Sequence, residues 1–202
     1  MPFDPTAILE RSGKAMQDLE SFRFDLTHNE GGSQFIPGLV VEEAQGDVVK
    51  PDRLALKFSG IFGGGYAIKS TLISVDGTTY MTNPLTGAWQ EMDDTVSPLG
   101  FFNPTVGIAA MMLQLEDAEE IDTGKDDVHR LPGTLPASAL SPLLGTAIED
   151  AYVDVELTID AERHYLLEAI VSGRVIASDE EGIVRTIGLR DFGEPIEIEA
   201  PQ

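Results

Sequence analysis

Short apolar stretches with a period of two, separated by tight turns, recur along most of this chain and restrict it to an antiparallel sheet. Phe22, Phe24 and Leu26 alternate with Arg23, Asp25 and Thr27. Leu54, Leu56 and Phe58 alternate with Arg53, Ala55 and Lys57. Val153, Val155, Leu157 and Ile159 do the same from Tyr152. Further strands are expected over Gln34–Val49 (with a bend at Pro37-Gly38), Tyr66–Val75, Thr79–Thr82, from Trp89, and over His164–Val175, Ile183–Phe192 and Ile196–Ile198. Asp76-Gly77 between two strands is a hairpin signal. Strands that follow one another through such short turns pair antiparallel.

Three helices interrupt this pattern. Asp4-Pro5 is a cap followed by a first-turn proline, and Thr6–Glu20 carries an apolar stripe of Ile8, Leu9, Ala15, Met16 and Leu19. Ser97–Leu115 has no charged residue; Asn103 and Pro104 suit a helix start, and Val106 to Leu115 is apolar on nearly every face. A helix of this kind, about 12 residues long, is too short to span a bilayer. It is either a core helix or one wall of an apolar ligand cavity, with Met111 and Met112 as soft, adaptable lining. The third helix is expected over Pro136–Asp150, presenting Leu140, Leu143, Leu144, Ala147 and Ile148. Segregated strands and helices with no linker make the expected class α+β, in one domain over residues 1–202.

Charge and composition exclude several functions. A net charge of −22 and a pI near 4.2 repel nucleic-acid phosphates and an anionic membrane surface. With no cysteine there is no disulfide, thiolate metal site or thiol nucleophile. His28, His129 and His164 have no metal-ligand spacing, and no serine lies in a nucleophile elbow. Gly63–Gly65 lacks the Lys-Ser/Thr and the helix of a phosphate loop and reads as a flexible hairpin tip. Asp122, Asp126 and Asp127 miss the spacing of a calcium loop, and Asp179-Glu180-Glu181 reads as a solvated turn. No cofactor or metal is expected. A chance carboxylate pair is the one catalytic possibility the residues leave open. Met1-Pro2-Phe3-Asp4 has neither the basic nor the apolar region of a signal peptide, as expected of a cytosolic chain or of a trimmed mature domain.

The order of motifs narrows this further. An amphipathic helix runs into Leu19-Glu20-Ser21-Phe22-Arg23-Phe24. A Val75-Asp76-Gly77-Thr78-Thr79-Tyr80 hairpin precedes Trp89, and Phe102-Asn103-Pro104-Thr105-Val106-Gly107-Ile108 opens a helix. Ile121-Asp122-Thr123-Gly124 and a closing Phe192-Gly193-Glu194-Pro195-Ile196-Glu197-Ile198 complete the set. In this order the chain resembles the LppX/LprA/LprF/LprG family of mycobacterial-type envelope lipoproteins. The resemblance implies a strongly curved antiparallel half-barrel sheet wrapped around helices on its concave face, similar to the LolA/LolB carriers. It implies non-enzymatic binding and transport of the acyl chains of a lipid or glycolipid. It also implies an extracytoplasmic protein, held at the membrane by a lipid anchor on a cysteine that this chain does not contain.

On that footing the expected cavity lining is Leu54, Leu56, Phe58, Leu72, Val155 and Leu157 from strands, with Ile108, Met111, Met112, Leu140, Leu143 and Leu144 from helices. Phe62, Phe101 and Phe102 are the expected entrance rim. The plain alternative for each is ordinary core. A protein-interaction or regulatory module on the same scaffold, with a filled core and a protein partner in the envelope, is the competing function.

Overall fold

The computed structural model describes residues 4–36, 38–92, 108–119, 121, 127–141 and 147–201. Helix α1 (Pro5–Asp18) starts where the sequence placed a cap, and the Asp4 carboxylate accepts the Ala7 N–H at 3.3 Å. It buries Ile8, Leu9, Ser12, Gly13 and Met16. Seven strands follow: β1 (Ser21–His28), β2 (Ser33–Ile36), β3 (Leu39–Val49), β4 (Arg53–Phe62), β5 (Tyr66–Val75), β6 (Thr78–Thr82) and β7 (Trp89–Glu91). After the short helix α2 (Ile108–Met112) come β8 (Val128–Pro136), a 3-10 turn (Ala137–Leu140), β9 (Tyr152–Asp160), β10 (Leu166–Ser172) and β11 (Val184–Arg190).

All eleven strands form one open, curved antiparallel sheet in the order β7-β6-β5-β4-β3-β1-β11-β10-β9-β8, with β2 paired to β3. Two meanders, β3–β7 and β8–β11, meet where β1 lies between β3 and β11. The alternation of each strand puts its apolar set on one face. Rows such as Leu26–Ile187–Ala169–Leu157 run across the sheet there. Phe22, Phe24, Leu54, Leu131 and Ile159 are at most 1% exposed, and α1 and α2 close over the same cluster. Gly46 keeps space open inside it. A Cβ there would stand 2.8 Å from Cε1 of Phe24, whose ring lies across the strand.

A charged polar island interrupts the inner face at the end of β1 and β11. Arg185 is 3% exposed and pairs with Asp179, Nη2 to Oδ1 at 2.6 Å. Its Nε donates to Ser33 Oγ at 2.8 Å and its Nη1 to the Gly173 carbonyl. Asp179 Oδ2 accepts the N–H groups of Val175 and Ile176. Ser33 Oγ is 2.8 Å from His28 Nε2, and His28 Nδ1 is 2.7 Å from the Glu42 carbonyl. Ser33 already accepts from the arginine, so its hydroxyl proton is free for Nε2 while Nδ1–H faces the carbonyl. This is a neutral ring. Burial, and then the Arg185 charge, hold its pKa below the usual histidine value despite the Glu42 carbonyl.

The structure departs from the sequence reading at several places, among them the helix expected to run to Leu115, which ends at Met112. Gln34–Val49 is a β2–β3 hairpin turning at Gly38 (φ 82°) rather than one bent strand. Of the helix expected over Pro136–Asp150, the first part is the 3-10 turn Ala137–Leu140 followed by α-helical Ser141, 142–146 lie outside the described residues, and 147–150 is irregular chain ending in a turn. Pro136 itself ends β8, a strand containing two prolines and a glycine. That composition suits an edge, and β9 is its single full partner. Ile196–Ile198 is no strand. The segment is tied down by Ser21 Oγ donating to the Glu194 carbonyl and by Arg53 Nη1 donating to that of Ile198. Asp179, read as part of a solvated turn, is buried because two amides and a guanidinium replace its water. The helix start at Asn103-Pro104 and the Asp122-Thr123-Gly124 stretch, with Asp126, lie outside the described residues.

Candidate binding cavity

The sheet's second meander carries a void against α2. Its floor is the inner face of β8 to β11: Leu135, Val155, Leu157, Leu166, Ala169, Val171, Ile187 and Leu189. Its roof is Ile108, Met111 and Met112 of α2 with Leu115, and Leu140 of the 3-10 turn closes one side. The cavity volume is about 50 Å³. None of the thirteen described lining residues is polar or titratable, so these residues offer shape and apolar surface and no group for acid–base, nucleophilic or metal chemistry.

Register explains why space is left there. Ala169 stands in a row between Leu157 on β9 and Ile187 on β11, so the smallest lining side chain sits between two branched ones. The roof is held from behind by α1, whose Ser12 Oγ lies 3.9 Å from Met112 Sδ. Beyond α2, the Glu116 and Thr134 backbones exchange two hydrogen bonds, at 2.8 and 2.9 Å, which stitch the chain to β8. There Leu115 lies over Gly133, where a Cβ would be 2.9 Å from Leu115 Cγ.

Six of the expected lining residues meet at this cavity: Ile108, Met111, Met112, Leu140, Val155 and Leu157. Leu54, Leu56, Phe58 and Leu72 do not. They are buried on the inner face of β4 and β5, in the same apolar cluster but away from the void. Leu143, Leu144, Phe101 and Phe102 lie outside the described residues. Phe62, at the end of β4, is 49% exposed. The sequence reading passed over Leu115, Leu135, Leu166, Ala169, Val171, Ile187 and Leu189. Alternation in β10 and β11 marks most of them as inward-facing, but nothing local says that these strands lie beneath α2. Among the described residues no three His, Asp or Glu side chains come together as a metal site. No described helix is long and apolar enough to cross a membrane.

The profile described as LppX_LprAFG lipoprotein matches residues 4–198. The chain belongs to this lipoprotein family. The LppX/LprAFG match takes in both meanders, α1 and the cavity. LprF from Mycobacterium bovis has a similar structure, with a TM-score of 0.75 at 18% identity over 98% of this chain and 96% of that one. LppX from Mycobacterium tuberculosis gives 0.67 at 16% identity, over 96% and 98%. These likenesses establish the fold, the curved half-barrel sheet expected of the family. No curated protein matches the sequence.

Proposed function

We propose that this LppX/LprAFG lipoprotein is a non-enzymatic carrier that encloses acyl chains of a lipid or glycolipid between the second meander and α2. The observation that carries this is the lining, apolar throughout among the described residues. Each methylene taken out of water contributes on the order of 0.8 kcal/mol, so a chain of ordinary length binds without any polar contact. On this reading the whole sequence is one domain of an extracytoplasmic protein held at the membrane by a lipid anchor, in keeping with the family's description as lipoproteins.

The volume adds a condition. Small-molecule pockets measure roughly 300–1,000 Å³, and this one is about 50 Å³. Binding therefore requires the roof to lift. The roof is suited to that: two of its lining side chains are the unbranched, adaptable Met111 and Met112.

Mass spectrometry of an organic extract, set against the native mass of the intact chain, tests the proposal. A stoichiometric lipid in the extract, or saturable uptake of a fluorescent fatty acid by the lipid-free chain, supports it. A clean native mass with no uptake refutes it. That result would favour the second reading, a filled-core module that binds a protein partner in the envelope, which the small void also supports.

A further inference from the structure

The turns of β2–β3 and β4–β5 meet at one end of the sheet, where Gly63 N–H donates to the Gly38 carbonyl at 3.0 Å. The chain around both turns is free of charge: eleven residues from Gly31 to Val41 and eleven from Phe58 to Ile68, in a protein that is 24% charged. Phe62 and Tyr66 face each other across the second hairpin on the concave side. They are 49% and 75% exposed, so the tip presents rings to solvent instead of covering them. Gly63, Gly64 and Gly65 at the tip have positive φ, and nothing stands near Gly64 or Gly65. On the opposite, convex face, farther along the strands, stand Lys69 and, diagonally across the ladder, Lys57, beside a hollow that Asp25 and Glu43 also line. Neither pairs with a carboxylate among the described residues, although the net charge is −22.

We propose that this end of the sheet docks on a lipid bilayer. Phe62 and Tyr66 seat at the boundary of headgroups and acyl chains, where amphipathic rings are favoured. Lys69 is three residues behind Tyr66, about 10 Å along the strand, which sets its ammonium near the lipid phosphates. The charge argument is local: in a chain of net charge −22, this uncharged tip is the part of the surface that a headgroup layer repels least. Acidic groups farther off are screened beyond about 8 Å at physiological salt. Because the rings lie on the concave side, the docked rim opens onto the face that carries the apolar core. The choice of a bilayer over a protein rests in part on the proposed lipid binding.

Flotation with phosphatidylcholine vesicles, and with equal parts phosphatidylcholine and phosphatidylglycerol, reads the docking directly. Wild type is expected to float with both. Phe62→Ser with Tyr66→Ser is expected to weaken binding about tenfold, equivalent to about 1.4 kcal/mol, with an unchanged melting temperature. Lys69→Gln is expected to weaken binding several-fold on the anionic vesicles only. Phe62→Trp in a Trp89→Phe background gives a second readout: blue-shifted emission, quenched by brominated acyl chains. Failure of wild type to float on either vesicle, undiminished flotation of the double variant, or an unquenched tryptophan overturns the proposal. So does a dimer that the double variant dissociates. Fatty-acid uptake measured without vesicles reports on the cavity separately.

Discussion

Replacing Ala169 by leucine separates an empty cavity from a filled core. The alanine lies on the cavity floor between Leu157 and Ile187. At roughly 24 cal/mol per Å³, a void of about 50 Å³ represents about 1.2 kcal/mol of unrealised packing. A leucine growing into that space regains at most this much, so the variant is expected to be between unchanged and about 1 kcal/mol more stable. For a chain of this size that is a rise of no more than about 2–4 °C in Tm. Its fatty-acid uptake is expected to fall sharply, because the added side chain occupies the binding space. Leu157→Ala is the converse: a loss of about 3–5 kcal/mol, partly restored by ligand, with about 2.7 kcal/mol regained at 100 times Kd. Urea denaturation followed by circular dichroism, with and without the fluorescent fatty acid, measures all four quantities. A filled core predicts the reverse for the leucine: an overpacking loss of about 1–3 kcal/mol and no effect on the probe. That pair of results would refute the cavity argument.

The polar island gives further tests. Asp179→Ala leaves Arg185 buried without its partner and should cost about 3–5 kcal/mol in urea denaturation. Asp179→Asn, which can still accept from Val175 and Ile176, should cost measurably less, and equal losses would deny the charge its role. His28 has a folded pKa below its ordinary 6.5, so the unfolded chain takes up the proton first. Its contribution is therefore complete above about pH 6.5 and is lost as the pH falls below it. His28→Gln should flatten the stability profile in that window, as read from urea midpoints across pH. Gly46→Ala places a methyl 2.8 Å from the Phe24 ring and 2.5 Å from the Ala55 carbonyl oxygen. A loss of about 1–3 kcal/mol is expected from thermal melts, and a neutral result would mean that the ring is free to shift.

Where an element is specified by its own residues, the sequence shows it. Asp4-Pro5 and the switch of period at Ser21 place α1 and β1, and Asp76-Gly77 places the β5–β6 turn. Elements that depend on neighbours are hidden. Pro132, Gly133 and Pro136 argue against any strand until β8 is known to be an edge, where missing donors and side chains are tolerated. Of the set spaced as for a helix over Pro136–Asp150, Leu140 closes a 3-10 turn and Ile148 N–H donates to the Val175 carbonyl, a tertiary contact that overrides the spacing at that end. The cavity was half legible for the same reason. Parity named Val155 and Leu157 as inward-facing. It named Leu54, Leu56, Phe58 and Leu72 equally well, and only the strand order separates the two sets.

The seam between β1 and β11 has a consequence for how the chain assembles. β1 gains its β3 partner through a nearby hairpin, but its other edge waits for residues 184–190, more than 150 positions later. Contacts so distant in sequence are rewarded only after the entropy of closing a long loop has been met, which slows folding. Until then Phe22, Phe24 and Leu26 sit on a strand with an open hydrogen-bonding edge, beside an unfinished second meander. A chain arriving from its N-terminus passes through this half-sheet, the form most exposed to pairing with another molecule. The last strand to arrive thus both completes the cavity floor and removes the hazard.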